Sequence, residues 1–278
     1  MKIETYSLMR LKVISKLKRA YELGFFYTLN WLLGQLRFRN LKFNFLRFLA
    51  IKKVQSKYNI LLYADYCDAT FRLYYFAGYG FFYSNYLKNY SSKFAFIDVG
   101  ANKGLYSILA AKNFNCEKVY SFEPIPSTFD YLKRNASLND ISSKCDLHNL
   151  AISDKCDEIE ILFNPNHSGT ASIAESNKKK GSKTVRIQTI NYEILESFFS
   201  AKTYNYILKV DVEGFEFTVL TEIFKCDFSK FISSIFYEVD EKWESPTRIE
   251  NFLRKVGFNN FEIIGDGTHY DVLATKEV

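Results

Sequence analysis

Proline and glycine are scarce in this 278-residue chain, at 4 and 12 residues. Collagen-like and linker-dominated architectures are thereby excluded. The five cysteines, Cys67, Cys116, Cys145, Cys156 and Cys226, are odd in number, scattered, and form no C-x-x-C pair. That argues against a disulfide framework or a structural zinc site and for a reducing, cytoplasmic setting. No apolar run reaches the ~20 residues of a membrane-spanning helix. The longest, Leu23 to Gly34, is broken by Thr28 and Asn30. No small-x-small cleavage site follows it, which disfavours a signal peptide. What remains is 47% hydrophobic and 24% charged, enough apolar residue for a sizeable core.

Charge is unevenly spread. Residues 1–57 hold thirteen Lys and Arg against only Glu4 and Glu22, while the remainder carries 24 basic and 29 acidic residues. Apolar residues of the basic head recur at roughly helical spacing, from Leu8, Leu11 and Ile14 to Leu29, Leu32 and Leu36. Two readings follow: an amphipathic helix lying on an anionic membrane face, peripheral to the inner membrane, or a helix packed on the main domain. No nucleic-acid motif accompanies the charge, so no nucleic-acid partner is expected. Residues 58–90 are aromatic and turn-rich, and read as strands or a short helical linker without visible chemistry. The expected division is an N-terminal extension over residues 1–90, mainly helical, and a main domain over 91–278.

At Phe94 the pattern changes. Phe94–Val99 is a short apolar run suited to a strand buried on both faces. It ends in Gly100-Ala101-Asn102-Lys103-Gly104, followed by the helical pattern of Leu105, Ile108 and Leu109. A glycine turn between strand and helix lets backbone approach a ligand and aims unpaired N–H groups at it. The Gly-x-x-x-Gly spacing is neither the dinucleotide fingerprint nor a P-loop. A second strand, Lys118–Phe122, ends in Glu123, 19 residues after Gly104. An acid at that position can accept hydrogen bonds from both hydroxyls of a ribose. A helix over 127–139, starting at Ser127, and strand-like segments at 147–152, 159–163 and 184–189 then suggest one open, mostly parallel sheet.

Further on, Ile207–Gly214 reads as a central strand leading into a helix, with Lys209 and Asp211 on one face and Glu213 in the loop beyond. Charges inside a buried strand are costly unless paired or functional. Strand 232–239 carries Glu238, with Asp240 just beyond, and adjacent strand ends would bring Asp211, Glu213, Glu238 and Asp240 toward one cleft. Four carboxylates admit a divalent ion such as Mg²⁺ or Ca²⁺. No firm ligand spacing is present, so no metal ligands are assigned. His167 lies in a polar turn suited to an acceptor loop, whereas His148 and His269 occupy strand-like contexts and read as structural. A lysine run, Lys178–Lys180, could attract a phosphorylated acceptor. An amphipathic helix stopped by Gly257, then a hairpin around Gly265-Asp266-Gly267, should close the sheet.

Three blocks, Phe96-Ile97-Asp98-Val99-Gly100-Ala101-Asn102-Lys103-Gly104, Phe122-Glu123-Pro124 and Leu208-Lys209-Val210-Asp211-Val212-Glu213-Gly214, together resemble the FkbM-type methyltransferase family. Ala151-Ile152-Ser153-Asp154 and Ser168-Gly169-Thr170-Ala171-Ser172 are similar to its intervening segments. The resemblance runs from about Phe94 to Thr275 and departs at Thr189-Ile190-Asn191-Tyr192, where an acidic pair would be usual. It implies a class I, Rossmann-like, mostly parallel seven-stranded α/β fold and an S-adenosylmethionine-dependent O-methyltransferase. Asp98, Gly100, Asn102 and Gly104 would surround the methionine end of the cofactor, Glu123 the ribose and Ala151 the adenine. Asp211 would complete the cofactor site. Methyl transfer to an alcohol needs a proton acceptor. Asp211, Glu238 and His167 are the candidates, with Lys209 beside them. The implied acceptor is a sugar or nucleotide-linked sugar of a surface polysaccharide or other glycoconjugate. The rival is a noncatalytic cofactor-fold scaffold tethered by its basic head.

Overall fold

The structure, a computed structural model, describes residues 39–169, 172–173, 182–199, 205–243 and 245–276. The expected basic helix over residues 8–36 and the lysine run at 178–180 lie outside these residues. The chain divides into two units, residues 1–54 with 64–66 and residues 55–63 with 67–278. The expected boundary after residue 90 falls inside the second unit. In the first unit, helix α1 (Arg39–Phe48) buries Phe43 and Leu46. Phe43 meets Tyr66 edge-on at 5.4 Å, and Tyr66 Oη donates to the Ile51 carbonyl at 2.9 Å. Strand β1 (Lys53–Gln55) crosses the division.

In the second unit, β2 (Leu61–Tyr63) precedes two helices, α2 (Ala69–Phe76) and α3 (Phe82–Asn89). The alternating core follows: β3 (Phe94–Val99), α4 (Leu105–Ala111), β4 (Cys116–Phe122), α5 (Pro126–Leu138) and β5 (Cys145–His148). Helix α5 starts one residue before the Ser127 expected to open it: Pro126 occupies the first turn, where its missing N–H costs nothing, and Ile125 is the cap. After an excursion described below come β10 (Tyr206–Val210), α7 (Glu216–Ile223), β11 (Ile232–Asp240), α8 (Pro246–Lys255), β12 (Asn260–Ile264) and β13 (His269–Thr275).

Seven of these strands form one sheet in the order β12-β13-β11-β10-β3-β4-β5. Strands β5, β4, β3, β10 and β11 run parallel, while β13 is antiparallel to both its neighbours. Every residue of β3 and β10 is buried, as central strands covered on both faces require. Ala95, Ile97, Val99, Leu208 and Val210 pack with Val219, Leu220 and Ile223 of α7 and Ile249 and Leu253 of α8. On the alternate positions, Tyr83 of α3 stacks on Phe236 at 3.8 Å and Tyr106 of α4 lies beside it. Each such large side chain contributes about 2–3 kcal/mol by leaving water.

The excursion corrects the single-sheet expectation. Strands β6 (Ala151–Ile152), β7 (Glu158–Phe163), β8 (Ser172–Ile173) and β9 (Lys183–Ile190) form a separate four-stranded sheet, order β6-β9-β7-β8, with β7 and β9 antiparallel. Periodicity identifies a strand but not its partner, and these strands pair locally. The short helix α6 (Tyr192–Glu196) follows, and Asn191 caps it by accepting from the Ile194 N–H at 3.3 Å. That is a helix-starting role for the residue at which the chain departs from the family pattern. Among the described residues, no helix is long and apolar enough to cross a membrane.

Candidate active site

Strand register assembles the charged centre. Lys209 on β10 is the cross-strand partner of Asp98 on β3 and of Phe236 on β11. Two residues further along β11, pairing with β13 sets Glu238 opposite Asp271. Lys209 Nζ lies 3.4 Å from Asp98 Oδ1, 3.3 Å from Asp211 Oδ2 and 3.2 Å from the Gly100 carbonyl to which it donates. Burial alone would lower the Lys209 pKa, but Asp211 and Asp98 outweigh it and hold the ammonium well above its usual range. Asp98 in turn accepts from Ser107 Oγ at 2.5 Å.

The glycine turn sits directly above. Gly100 and Ala101 both donate to the Phe122 carbonyl at 3.0 Å. Gly100 has φ +75°, and a Cβ there would meet the Asp211 carbonyl oxygen at 1.8 Å. Only glycine lets the ends of β3 and β10 approach so closely. Glu123, at the tip of β4 and 4% exposed, accepts from the Asn102 N–H and the Ile125 N–H, each at 2.9 Å. Burial pushes its pKa up to about 7 despite those two donors and the nearby Lys209.

A cavity of about 460 Å³ opens at the carboxyl ends of these strands. One end is walled by Gly100, Asn102, Phe122, Glu123, Ala151 and Ile152, with Ile159, Ile161 and Ile187 of the second sheet. At the other stand Asp211, Glu213, Glu238, His269 and Asp271, faced by Tyr74, Tyr79 and Tyr106. Its volume falls within the range of small-molecule and cofactor sites.

Glu213 has φ +54°, an uncommon conformation for a non-glycine residue, and is fixed by Glu216, whose carboxylate accepts from the Val212 and Gly214 N–H groups at 3.1–3.2 Å. Burial and the Asp211 and Glu238 carboxylates raise the Glu213 pKa to about 9. Burial and Asp211 likewise raise Glu238 and Asp271 to about 7. His269 Nε2 lies 2.6 Å from Glu238 Oε1, and that contact raises the histidine above its ordinary value. Asp211, Glu213 and Glu238 each offer an oxygen within 4.8 Å of the others. An all-oxygen set of this kind suits a hard divalent cation.

Of the residues expected to hold a cofactor, Gly100, Asn102, Glu123, Ala151 and Asp211 line the cavity. Asp98 and Gly104 stand behind it: Asp98 is 1% exposed and occupied by Lys209 and Ser107, and Gly104 packs against Leu132. Of the catalytic candidates, Asp211, Glu238 and Lys209 line it, whereas His167 does not, although the next residues Ser168 and Gly169 do. Asp240 is also outside the lining. His148 stacks on Phe122 at 4.9 Å, as a structural histidine should. His269, also read as structural, is instead the partner of a cavity carboxylate. Strand periodicity could have placed it at the same sheet edge as Glu238, but the antiparallel register was not legible.

Numbered along the chain, the strands of the main sheet are ordered 3-2-1-4-5-7-6 with the seventh reversed. With the glycine turn after the first strand and the acid at the tip of the second, this is the Rossmann-like, S-adenosylmethionine-binding fold of class I methyltransferases. The family described as Methyltransferase FkbM domain matches residues 98–259, more than half the chain, and the protein belongs to that family. Methyltransferase sdnD of Sordaria araneosa is 26% identical over 189 residues, 59% of this chain and 73% of its own length. Methyltransferase 1 of Beauveria bassiana is 26% identical over 141 residues, 45% of this chain and 56% of its own. Among solved structures, the aTrm5–tRNALeu complex matches at TM-score 0.44 and 15% identity, covering 80% of this chain and 51% of that one. M. jannaschii TYW2 in complex with AdoMet matches at TM-score 0.39 and 15% identity, covering 80% and 84%. The chain thus spans about half the length of the tRNA-bound protein and of the second curated relative.

Proposed function

We propose that this protein transfers a methyl group from S-adenosylmethionine to a hydroxyl of a sugar or nucleotide-linked sugar in glycoconjugate synthesis. The observation that carries the reading is one cavity with two chemically distinct ends. Toward the glycine turn, Glu123 offers carboxylate oxygens to a ribose, and Phe122, Ile152 and Ile161 offer an apolar slot for an adenine. Gly100 lets the ends of β3 and β10 approach closely, so that Asp211 lines the same cavity as the glycine turn. These residues fit the cofactor, which when bound supplies an electrophilic methyl carbon on a cationic sulfonium. Asp211, held by Lys209, places negative charge near that cation.

At the far end, carboxylates face phenols, a lining that can accept hydrogen bonds from many hydroxyls and pack against C–H faces. Glu238 is the group we assign to take the acceptor proton. Its pKa near 7 suits a base at neutral pH, and His269, more exposed, can pass the proton to solvent. Lys209 orients Asp211 through their ion pair, and alignment of the acceptor with the methyl group supplies much of the rate.

The test is calorimetric titration with S-adenosylmethionine and S-adenosylhomocysteine, with NADH as control. Release of S-adenosylhomocysteine is then followed with glycosides and nucleotide sugars, with and without Mg²⁺. Micromolar binding of the adenosyl pair, and turnover lost in Glu238→Gln, support the assignment. Binding of NADH alone would sink it.

A further inference from the structure

The family match begins at residue 98, yet one wall of the acceptor end comes from residues before it: Thr70, Tyr74 and Tyr79 line the cavity. Tyr74 and Tyr79 pack edge to face at 5.7 Å. Helix α2, which carries Thr70 and Tyr74 and ends before Tyr79, is capped by Asp68, a residue 1% exposed. Its Oδ1 accepts from the Thr70 N–H at 3.1 Å and the Ser168 N–H at 3.0 Å. Its Oδ2 accepts from the Phe71 N–H at 3.2 Å and Ser168 Oγ at 2.8 Å, and pairs with Lys103 Nζ.

Lys103 belongs to the glycine turn and is 2% exposed. Beside it, Asn102 Nδ2 donates to the Ser168 carbonyl at 3.0 Å. Burial alone would raise the Asp68 pKa, but Lys103 and the Ser168 donors more than offset it and hold it below the usual carboxylate range. A buried pair this fully hydrogen-bonded holds its two elements in one geometry, because separating the charges in place is costly. Helix capping alone needs neither Lys103 nor the bonds from Ser168, so these additional contacts require a different account.

We infer that Asp68 is a positioning residue for methyl transfer, fixing the acceptor wall of Thr70, Tyr74 and Tyr79 to the turn that holds the cofactor. The inference rests on the cofactor site proposed above. Occupancy of the turn at residues 100–104 then stiffens the wall through Lys103, Asn102 and Ser168, so acceptor selection lies partly outside the family-matched region.

Hydrogen exchange of the full chain, with and without saturating S-adenosylhomocysteine, tests it. In the wild type the ligand should slow exchange at residues 100–104 and, about fivefold or more, at residues 69–76. Asp68→Asn keeps a good helix cap but strands the Lys103 charge, which risks unfolding. The neutral pair Asp68→Asn/Lys103→Gln avoids that risk. In the neutral pair, ligand protection at 100–104 should persist while that at 69–76 is lost. Protection confined to 100–104 in the wild type, or undiminished at 69–76 in the neutral pair, overturns the inference and leaves the cofactor site standing. Protection at neither segment removes both.

Discussion

Gly100→Ala probes the close approach on which the cofactor end depends. The added methyl would lie 1.8 Å from the Asp211 carbonyl oxygen and 2.9 Å from its carbon, backbone atoms that cannot rotate away. Reaching ordinary contact requires more than 1 Å of movement at the junction of β3 and β10, both wholly buried. The left-handed backbone adds about 1–2 kcal/mol for any residue with a Cβ. Overpacking a close-packed region adds about 1–3 kcal/mol. Together these place the loss near 3 kcal/mol, and a unit of this size should melt roughly 6–12 °C lower. Gly257→Ala is the control: its φ is +98° but nothing lies within 4 Å, so only the backbone cost applies. Thermal unfolding of both variants, with and without S-adenosylhomocysteine, measures the difference. If Gly100→Ala melted within about 2 °C of Gly257→Ala, the steric reasoning would be refuted.

Lys209→Met leaves Asp98 buried without its countercharge and should cost about 3–5 kcal/mol in urea unfolding, part of which Lys209→Met/Asp98→Asn recovers. An equal loss in both variants would show that the pair is not the cause. Glu123, Glu238 and Asp271 are raised to about 7 and Glu213 to about 9. Because the folded values exceed the unfolded ones, their favourable contribution is complete below about pH 4 and lost as pH rises through 7 to 9. The ligand-free protein should therefore have a lower urea midpoint at pH 9 than at pH 6, and Glu213→Gln should flatten the upper part of that fall. His269→Ala removes a partner that lowers the Glu238 pKa. The acid limb of kcat/KM should move to higher pH, with activity roughly tenfold down at pH 6, and an unmoved limb would exclude the pair from proton transfer.

Much of the glycine-turn end of the cavity was written locally. An apolar run ending at Gly100, a helix start after Gly104 and an acid at Glu123 belong to successive elements whose geometry is set by short-range backbone rules. Those rules place Gly100, Asn102 and Glu123 at one sheet edge before any tertiary contact is known. Asp98 and Gly104 stand in the same motif, but only the packed structure turned them away from the cavity, toward Lys209 and Leu132.

The carboxylate end of the cavity was decided by tertiary structure. The partnership of Glu238 with His269 depends on antiparallel pairing between strands 29 residues apart at their nearest ends, which periodicity cannot assign. The separate β6–β9 sheet likewise follows from a choice of partner among similar apolar strands. Asp68 lies in a segment whose sequence carries no recognisable chemistry; its burial is legible only in the fold, where a buried lysine of the glycine turn finds its countercharge there. Sequence determined the strand, the turn and the acid, since each follows from neighbours along the chain. Which charges meet across the cavity depended on register and packing, where residues distant in sequence share one low-dielectric space.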